Sequence, residues 1–330
     1  MGRLVDGIWH TDEALAIGRD GRFHRTDAPF RNWITPDGAP GPSGEGGFAA
    51  ESGRYHLYVS YACPWAHRTL IFRKLKALED HIGVSVVHPL ILDQGWTFAT
   101  DFDGTTGDVL AGRAYLHEVY TAANPGFSGR VSVPALWDRK RNTIVSNESS
   151  EIIRMFNAAF DGITGNTLDF YPEALRADID AVNERVYNTL NNGVYRCGFA
   201  RTQEAYDEAV AELFATLDWL EERLGGSRYL VGDRITEADW RLAVTLFRFE
   251  TVYHFHFKCT RNRLRDFANL WAYARELYQW PGIAETVRQD HIVNHYYRSH
   301  ESINPFRIVP AGPRIDWNEP HGRGDLVDAA

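Results

Sequence analysis

Between Tyr55 and Val59 the chain reads Tyr-His-Leu-Tyr-Val, a largely apolar, β-rich run of the kind that forms a buried strand. Leu70, Ile71, Lys74, Leu75 and Leu78 then recur at helical spacing. A second apolar run, Ile82 to Leu92, predicts another strand. Val133–Trp137 and Thr143–Val145 predict a strand pair around the turn Asp138–Asn142, with a helix following from Ser149 through Phe156.

From about residue 172 the pattern is helical throughout. Ala209, Leu213, Leu217, Leu220 and Leu224 fall three or four apart and run into Gly225-Gly226, a helix-stop signal. Thr236-Glu237-Ala238-Asp239 opens the next helix in the manner of a capping box, with Ile235 placed as its hydrophobic staple. Trp240, Ala243, Val244 and Phe247 give that helix an apolar stripe. Residues 1 to about 50 are rich in Gly, Pro and Asp and read as a loop-like extension laid over the first domain; the tail from Ile303 returns to Pro- and Gly-rich sequence. The expected divisions are an extension (1–50), an α/β domain (51–165), an all-helical domain (166–302) and a tail (303–330). The strand-helix-strand, strand-strand-helix order of the first domain is that of a thioredoxin-like fold.

Composition narrows the class. With 330 residues, 44% of them hydrophobic, the chain suits an ordinary folded protein with room for two domains. A net charge of −9 argues against a nucleic-acid footprint, and Arg261, Arg263 and Arg265 read as a solvated face. No apolar run reaches the roughly 20 residues of a membrane helix, and Met1–His10 lack signal-peptide blocks. Three cysteines (Cys63, Cys197 and Cys259) are too few and too odd for a disulfide scaffold and point to a reducing, cytoplasmic setting. Roles for Cys197 and Cys259 do not follow from their positions. His254 and His256 flank Phe255 without metal-ligand spacing, so no metal is expected.

The chemistry concentrates at Tyr61-Ala62-Cys63-Pro64-Trp65-Ala66-His67-Arg68, where strand hands over to helix. Pro64 suits the first helical position, which leaves Cys63 at the N-terminus, where unpaired N–H groups favour the thiolate. A dithiol oxidoreductase would carry a second Cys at position 66; this chain has Ala66. A mixed disulfide on Cys63 must therefore be released by an external thiol, which points to glutathione.

These motifs together resemble the glutathione transferase superfamily. Tyr229 through Asp239 looks like its capping segment in the helical domain, while Cys63-Pro64-Trp65-Ala66 and the tail Ile303-Asn304-Pro305 to Gly312-Pro313 resemble its glutathionyl-hydroquinone reductases, or Xi class. The resemblance implies a thioredoxin-like domain followed by an all-helical one, a homodimer, and glutathione as co-substrate. It implies that Val133, before a cis-proline, pairs with the cysteinyl part of glutathione. Glu148 and Ser149 would hold the γ-glutamyl end, Arg130 a carboxylate and Trp96 the flank. It also assigns Tyr195, Tyr253 and Tyr296 to the reaction, with Tyr296 chosen over its neighbour Tyr297. Trp65 reads as packing that shapes the site.

The implied reaction is reduction of a glutathionyl-hydroquinone through a Cys63–glutathione mixed disulfide, with Tyr195 as proton donor. The alternatives are a glutaredoxin-like thiol transferase or dehydroascorbate reductase, and, from another class, a non-catalytic binding member of the superfamily. The physiological quinone is not legible in the sequence.

Overall fold

The computed structural model describes residues 2–11, 17–232, 234–324 and 326. Asp233 of the capping segment and part of each terminal stretch lie outside the described residues. By contacts the chain divides into two compact units. One comprises Met1–Leu15, Thr26–Leu168 and Arg288–His295; the other comprises Ala16–Arg25, Asp169–Val287 and Tyr296–Ala330.

In the first unit the N-terminal stretch is not loop alone. β1 (Arg3–Val5) and β2 (Ile8–His10) pair as an antiparallel hairpin. β3 (Tyr55–Val59), buried at every position, leads into α1 (Pro64–Leu75) and returns through β4 (Ile82–Val86), parallel to β3. The run Ile82–Leu92 is not one strand. It breaks after Val86, ahead of Pro89, which has no N–H to give a ladder, and resumes as β5 (Ile91–Leu92), hairpinned to β6 (Gly95–Trp96). α2 (Leu116–Ala123) follows, its first turn closed by Glu118, which accepts from the backbone N–H groups of Ala114 and Tyr115 at 2.8 Å each.

β7 (Ala135–Asp138) and β8 (Thr143–Ser146) complete a sheet ordered β4-β3-β7-β8, with β7 antiparallel to both neighbours. α3 (Ser149–Ala158) and the short α4 (Asp161–Thr164) end this part, and α3 packs against α1. The mixed four-stranded sheet with its helices is the thioredoxin-like arrangement the element order implied.

The second unit is helical. α5 (Arg176–Val186) continues through a π-helical segment, Tyr187–Asn191, into α6 (Gly193–Phe199). α7 (Gln203–Gly226) is the longest helix; Gly225 and Gly226 are its last helical residues, and the cap is Ser227 in extended conformation. α8 (Glu237–Arg248) runs on into a second π-helical segment, Phe249–Tyr253. α9 (Ala268–Gln279) and α10 (Gln289–Ser299) complete the set, and the division between units falls within α10, after His295.

The start of α8 is built as its sequence reads. Asp239 is fully buried, and its Oδ2 accepts from the backbone N–H and the hydroxyl of Thr236 at 2.7 and 3.0 Å. Its Oδ1 accepts from the Leu230 N–H at 2.9 Å and the Tyr273 hydroxyl at 2.6 Å. Burial pushes this carboxyl's pKa up, and those four donors oppose the shift. The expected apolar stripe is too narrow a description: every residue from Glu237 to Arg248 is buried. Glu237 therefore needs internal partners, and it has them in Asn183 Nδ2 at 2.9 Å and Arg241 at 3.3 Å. The basic run Arg261, Arg263 and Arg265 pairs with Asp218, Asp266 and Glu250, as a charged face does. Among the described residues no helix is long and apolar enough to cross a membrane.

Candidate active site

Cys63 is the N-cap of α1, with extended backbone (φ −78°, ψ 121°), and Pro64 takes the first helical position. The Cys63 carbonyl accepts from His67 N–H at 2.9 Å, so the helix starts immediately behind the sulfur. Cys63 is half-buried, whereas Ala66 is fully buried one turn on. The sulfur lies 3.5 Å from the carbonyl oxygen of Val133, and the Val133–Pro134 bond is cis, as the resemblance implied. Trp65 is half-buried, with the Arg68 guanidinium 4.7 Å from its ring centre, an arrangement of packing and cation–π attraction.

Glu148 and Ser149 follow β8 after the single residue Asn147. The N-cap of α3 is Glu148, not Ser149: the Glu148 carboxylate accepts from the Ser150 N–H at 2.9 Å and the Ser150 hydroxyl at 2.7 Å. Burial pushes the Glu148 pKa up, but those two bonds and the charges of Arg68 and Arg31 outweigh it, and the net shift is down. Glu148 is thus held as a carboxylate beside a buried Ser149, which is first in the helix. Arg31 in turn is fixed by a two-pronged pair with Glu151, one turn into α3.

Trp96 is buried and stacks on His295, ring centres 5.1 Å apart and planes 15° from parallel. His295 Nδ1 hydrogen-bonds the Pro89 carbonyl at 2.8 Å, which locks the ring over the indole. Arg130 is half-buried and follows Gly129, whose backbone bridges Leu4. Cys63, Trp96, Arg130, Val133, Glu148 and Ser149 all belong to the first unit.

The three tyrosines belong to the second unit and form one hydrogen-bonded cluster. The Tyr296 hydroxyl lies 2.6 Å from that of Tyr195 and 3.0 Å from that of Tyr253. Tyr253 and Tyr296 are fully buried, and burial raises both pKa values well above that of an ordinary phenol. They remain neutral hydrogen-bonding groups, while Tyr195 is the half-buried member. Tyr297 points elsewhere: its hydroxyl donates to the Thr251 carbonyl at 3.0 Å. Tyr253 ends one π-helical segment and Tyr195 follows the other, so altered helix pitch sets both rings. Phe23, Phe199 and Phe257 pack around Tyr195, and Arg25 lies 5.1 Å from its ring centre.

Cys197 and Cys259 are both buried, and burial, with Cys197 beside it, pushes the Cys259 thiol well up. A thiol raised in this way, as Cys259 is, does not serve as a nucleophile at neutral pH. His254 and His256 turn to the Cys259 carbonyl (3.1 Å) and to His300 (3.1 Å), and no metal-holding group of His, Cys, Asp or Glu occurs among the described residues. Sequence reasoning missed His295, Arg31 and Arg68. His295 was adjacent to the chosen tyrosine, but nothing in its spacing disclosed the stack on Trp96.

Comparison with known proteins adds two domains and a set of relatives. The glutathione S-transferase N-terminal domain matches residues 62–159 and the C-terminal domain matches residues 203–276. The glutathionyl-hydroquinone reductase YqjG of Escherichia coli (strain K12) is 58% identical over 98% of both chains. Its glutathione-bound structure aligns with a TM-score of 0.91 over 98% of this chain and 99% of that one. The glutathionyl-hydroquinone reductase PcpF of Sphingobium chlorophenolicum is 49% identical, covering 95% of this chain and 96% of its own. A Xi-class glutathione transferase from Natrialba magadii is 49% identical with a TM-score of 0.91, covering 100% of this chain and 98% of that one.

Proposed function

The chain belongs to the glutathione S-transferase family, within its Xi class of glutathionyl-hydroquinone reductases, and on that premise we propose that it reduces glutathionyl-hydroquinones with glutathione as co-substrate. One observation supports this reading above the rest: a single cysteine at a helix N-cap, its sulfur beside the Val133 carbonyl, with alanine where a resolving thiol would stand.

The residues divide the work as follows. In the segment 51–165, Val133 pairs with the cysteinyl part of glutathione. Glu148 takes its ammonium, and Ser149 with the N-terminal turn of α3 takes the adjacent carboxylate. Arg130 takes the other carboxylate, and Trp96 closes the flank. The Cys63 thiolate attacks the sulfur of the bound glutathionyl-hydroquinone; an S–S bond forms, the aromatic C–S bond breaks, and its electron pair goes to the ring carbon. Tyr195, in the substrate-binding segment 166–302, protonates that carbon, with Tyr253 and Tyr296 holding the hydroxyl network that orients it. A second glutathione loses its thiol proton, which restores the Tyr195 phenol, and as thiolate attacks the mixed disulfide. Oxidised glutathione leaves and the Cys63 thiolate is restored, so two glutathione sulfurs have supplied the two electrons. A homodimer in the cytoplasm, whose reducing conditions keep all three cysteines as thiols, is the setting this chemistry suits.

The test is intact mass after exposure to a glutathionyl-hydroquinone. A gain of one glutathione on Cys63, removed by added glutathione, is the expected result; an unmodified protein that still releases hydroquinone would sink the scheme.

A further inference from the structure

The strands of the thioredoxin-like sheet do not by themselves hold Trp96 or Arg130. Both lie in connections, and both connections rest on the N-terminal hairpin. Leu4 is buried and exchanges two backbone hydrogen bonds with Gly129, at 3.0 and 2.9 Å, immediately before Arg130. Two more bonds clamp the same stretch: Gly7 N–H to the Phe127 carbonyl at 3.0 Å and Asp6 N–H to the Ser128 hydroxyl at 2.8 Å. Gly7 has φ +78°, and a Cβ there would lie 1.9 Å from the Pro125 carbonyl oxygen, so the approach requires glycine.

Trp9, on the second strand, supports the other contact. Its indole N–H donates to the Asp93 carbonyl at 2.9 Å, in the turn between β5 and β6. One face of its ring stacks on His117, centres 4.8 Å apart. Gly95, the residue before Trp96, has φ +69°, and a Cβ on it would come within 2.9 Å of the Trp9 ring. The indole therefore fills the space behind the backbone that carries Trp96. His295 holds Trp96 from its own side chain, and Trp9 holds it through the main chain.

The later part of the extension does the same for α3. Phe30 and Asn147 exchange backbone and side-chain bonds at 3.1 Å each, Asn32 N–H donates to Val145 at 2.9 Å, and Arg31 grips Glu151. Each of the three outer glutathione contacts thus has a support from residues 1–50.

We infer that the N-terminal extension is the back wall of the glutathione site, and that Trp9 and Leu4 are positioning residues for Trp96 and Arg130. This rests on the reading of those two residues as glutathione contacts. It predicts that the extension acts on affinity for glutathione and leaves the chemistry at Cys63 alone.

The experiment uses the full chain with Trp9→Ala and Trp9→Phe. It measures glutathione affinity by calorimetry, KM for glutathione against kcat, and the rate of Cys63 alkylation by iodoacetamide. Trp9→Ala should raise both the Kd and the KM for glutathione about tenfold, because a side chain misplaced by a fraction of an ångström loses most of a positioned contact. kcat and the alkylation rate should stay within about twofold of wild type. Trp9→Phe keeps the stack on His117 and should recover most of the affinity. If Trp9→Ala does not fold, Ser128→Ala removes one anchor of the Arg130 loop and should raise the KM about threefold. A wild type that binds glutathione, with variants that bind it equally well, overturns this inference alone; so does a loss confined to kcat. A wild type that does not bind glutathione overturns the proposed function, and this inference with it.

Discussion

The sulfur of Cys63 stands 3.5 Å from the carbonyl oxygen of Val133, so the nucleophile and the backbone assigned to the ligand's cysteinyl unit occupy one spot. Removing the sulfur leaves that backbone, Glu148 and Ser149 in place. Cys63→Ala should therefore lose turnover completely while its glutathione Kd stays within about threefold of wild type, since the cradle supplies the binding energy. Turnover assays and calorimetry on the same preparation separate the two. Retained turnover in Cys63→Ala would exclude the mixed-disulfide route.

Much of this was legible locally. Cys-Pro at the junction of β3 and α1 discloses itself because cap chemistry depends on adjacent residues. Thr236 and Asp239 are three apart and close their own helix. What could not be read depends on distant partners. Trp9 reaches a carbonyl 84 residues away, and its Gly-, Pro- and Asp-rich surroundings suggested only loop. The π-helical segments beneath Tyr195 and Tyr253 carry no spacing that distinguishes them from α-helix. The break in Ile82–Leu92 is marked by Pro89, but the apolar residues on both sides mask it. The capping of α3 by Glu148 is not legible either, because it depends on the carboxylate folding back onto Ser150.

Ala66 offers a sharper test of the one-cysteine scheme. It is the third residue of α1, one turn from Cys63, which is where a dithiol motif places its resolving thiol. In Ala66→Cys the new sulfur should attack the mixed disulfide before external glutathione does. Intact mass should then show a chain short of two hydrogens in place of a glutathione adduct. The site is fully buried, and an added sulfur there costs about 1–3 kcal/mol, so the melting temperature should fall. A persistent glutathione adduct in Ala66→Cys would show that position 66 cannot reach the intermediate.

Within the tyrosine cluster, Tyr296 and Tyr195 should separate stability from chemistry. The Tyr296 hydroxyl bridges the other two, and removing it takes a hydrogen-bond partner from both. Tyr296→Phe should cost about 1–3 kcal/mol by thermal or urea unfolding. Tyr195→Phe disturbs one bond and should cost about 1 kcal/mol or less. Its effect on kcat should be larger, about a hundredfold, if this phenol protonates the leaving carbon. A Tyr195→Phe enzyme with normal kcat would remove Tyr195 from the donor role.

Glu148 gives the pH dependence its sign. Burial alone would push its pKa up, but the Ser150 donors and the charges of Arg68 and Arg31 bring the net shift below the ordinary glutamate value. The carboxylate assigned to the glutathione ammonium therefore stays charged throughout neutral and mildly acid solution. It is lost only as the pH falls through that lowered pKa, and the acid limb of kcat/KM for glutathione should lie at or below the usual glutamate range. Arg31→Met removes one of the charges that favour the carboxylate, so Glu148 should protonate at a higher pH and the acid limb should move up with it. The Arg31–Glu151 pair is lost as well, which should lower stability by no more than about 1 kcal/mol because Arg31 is partly exposed. An acid limb that stays where it was in Arg31→Met, with the protein folded, would mean that Glu148 is not the group that sets it.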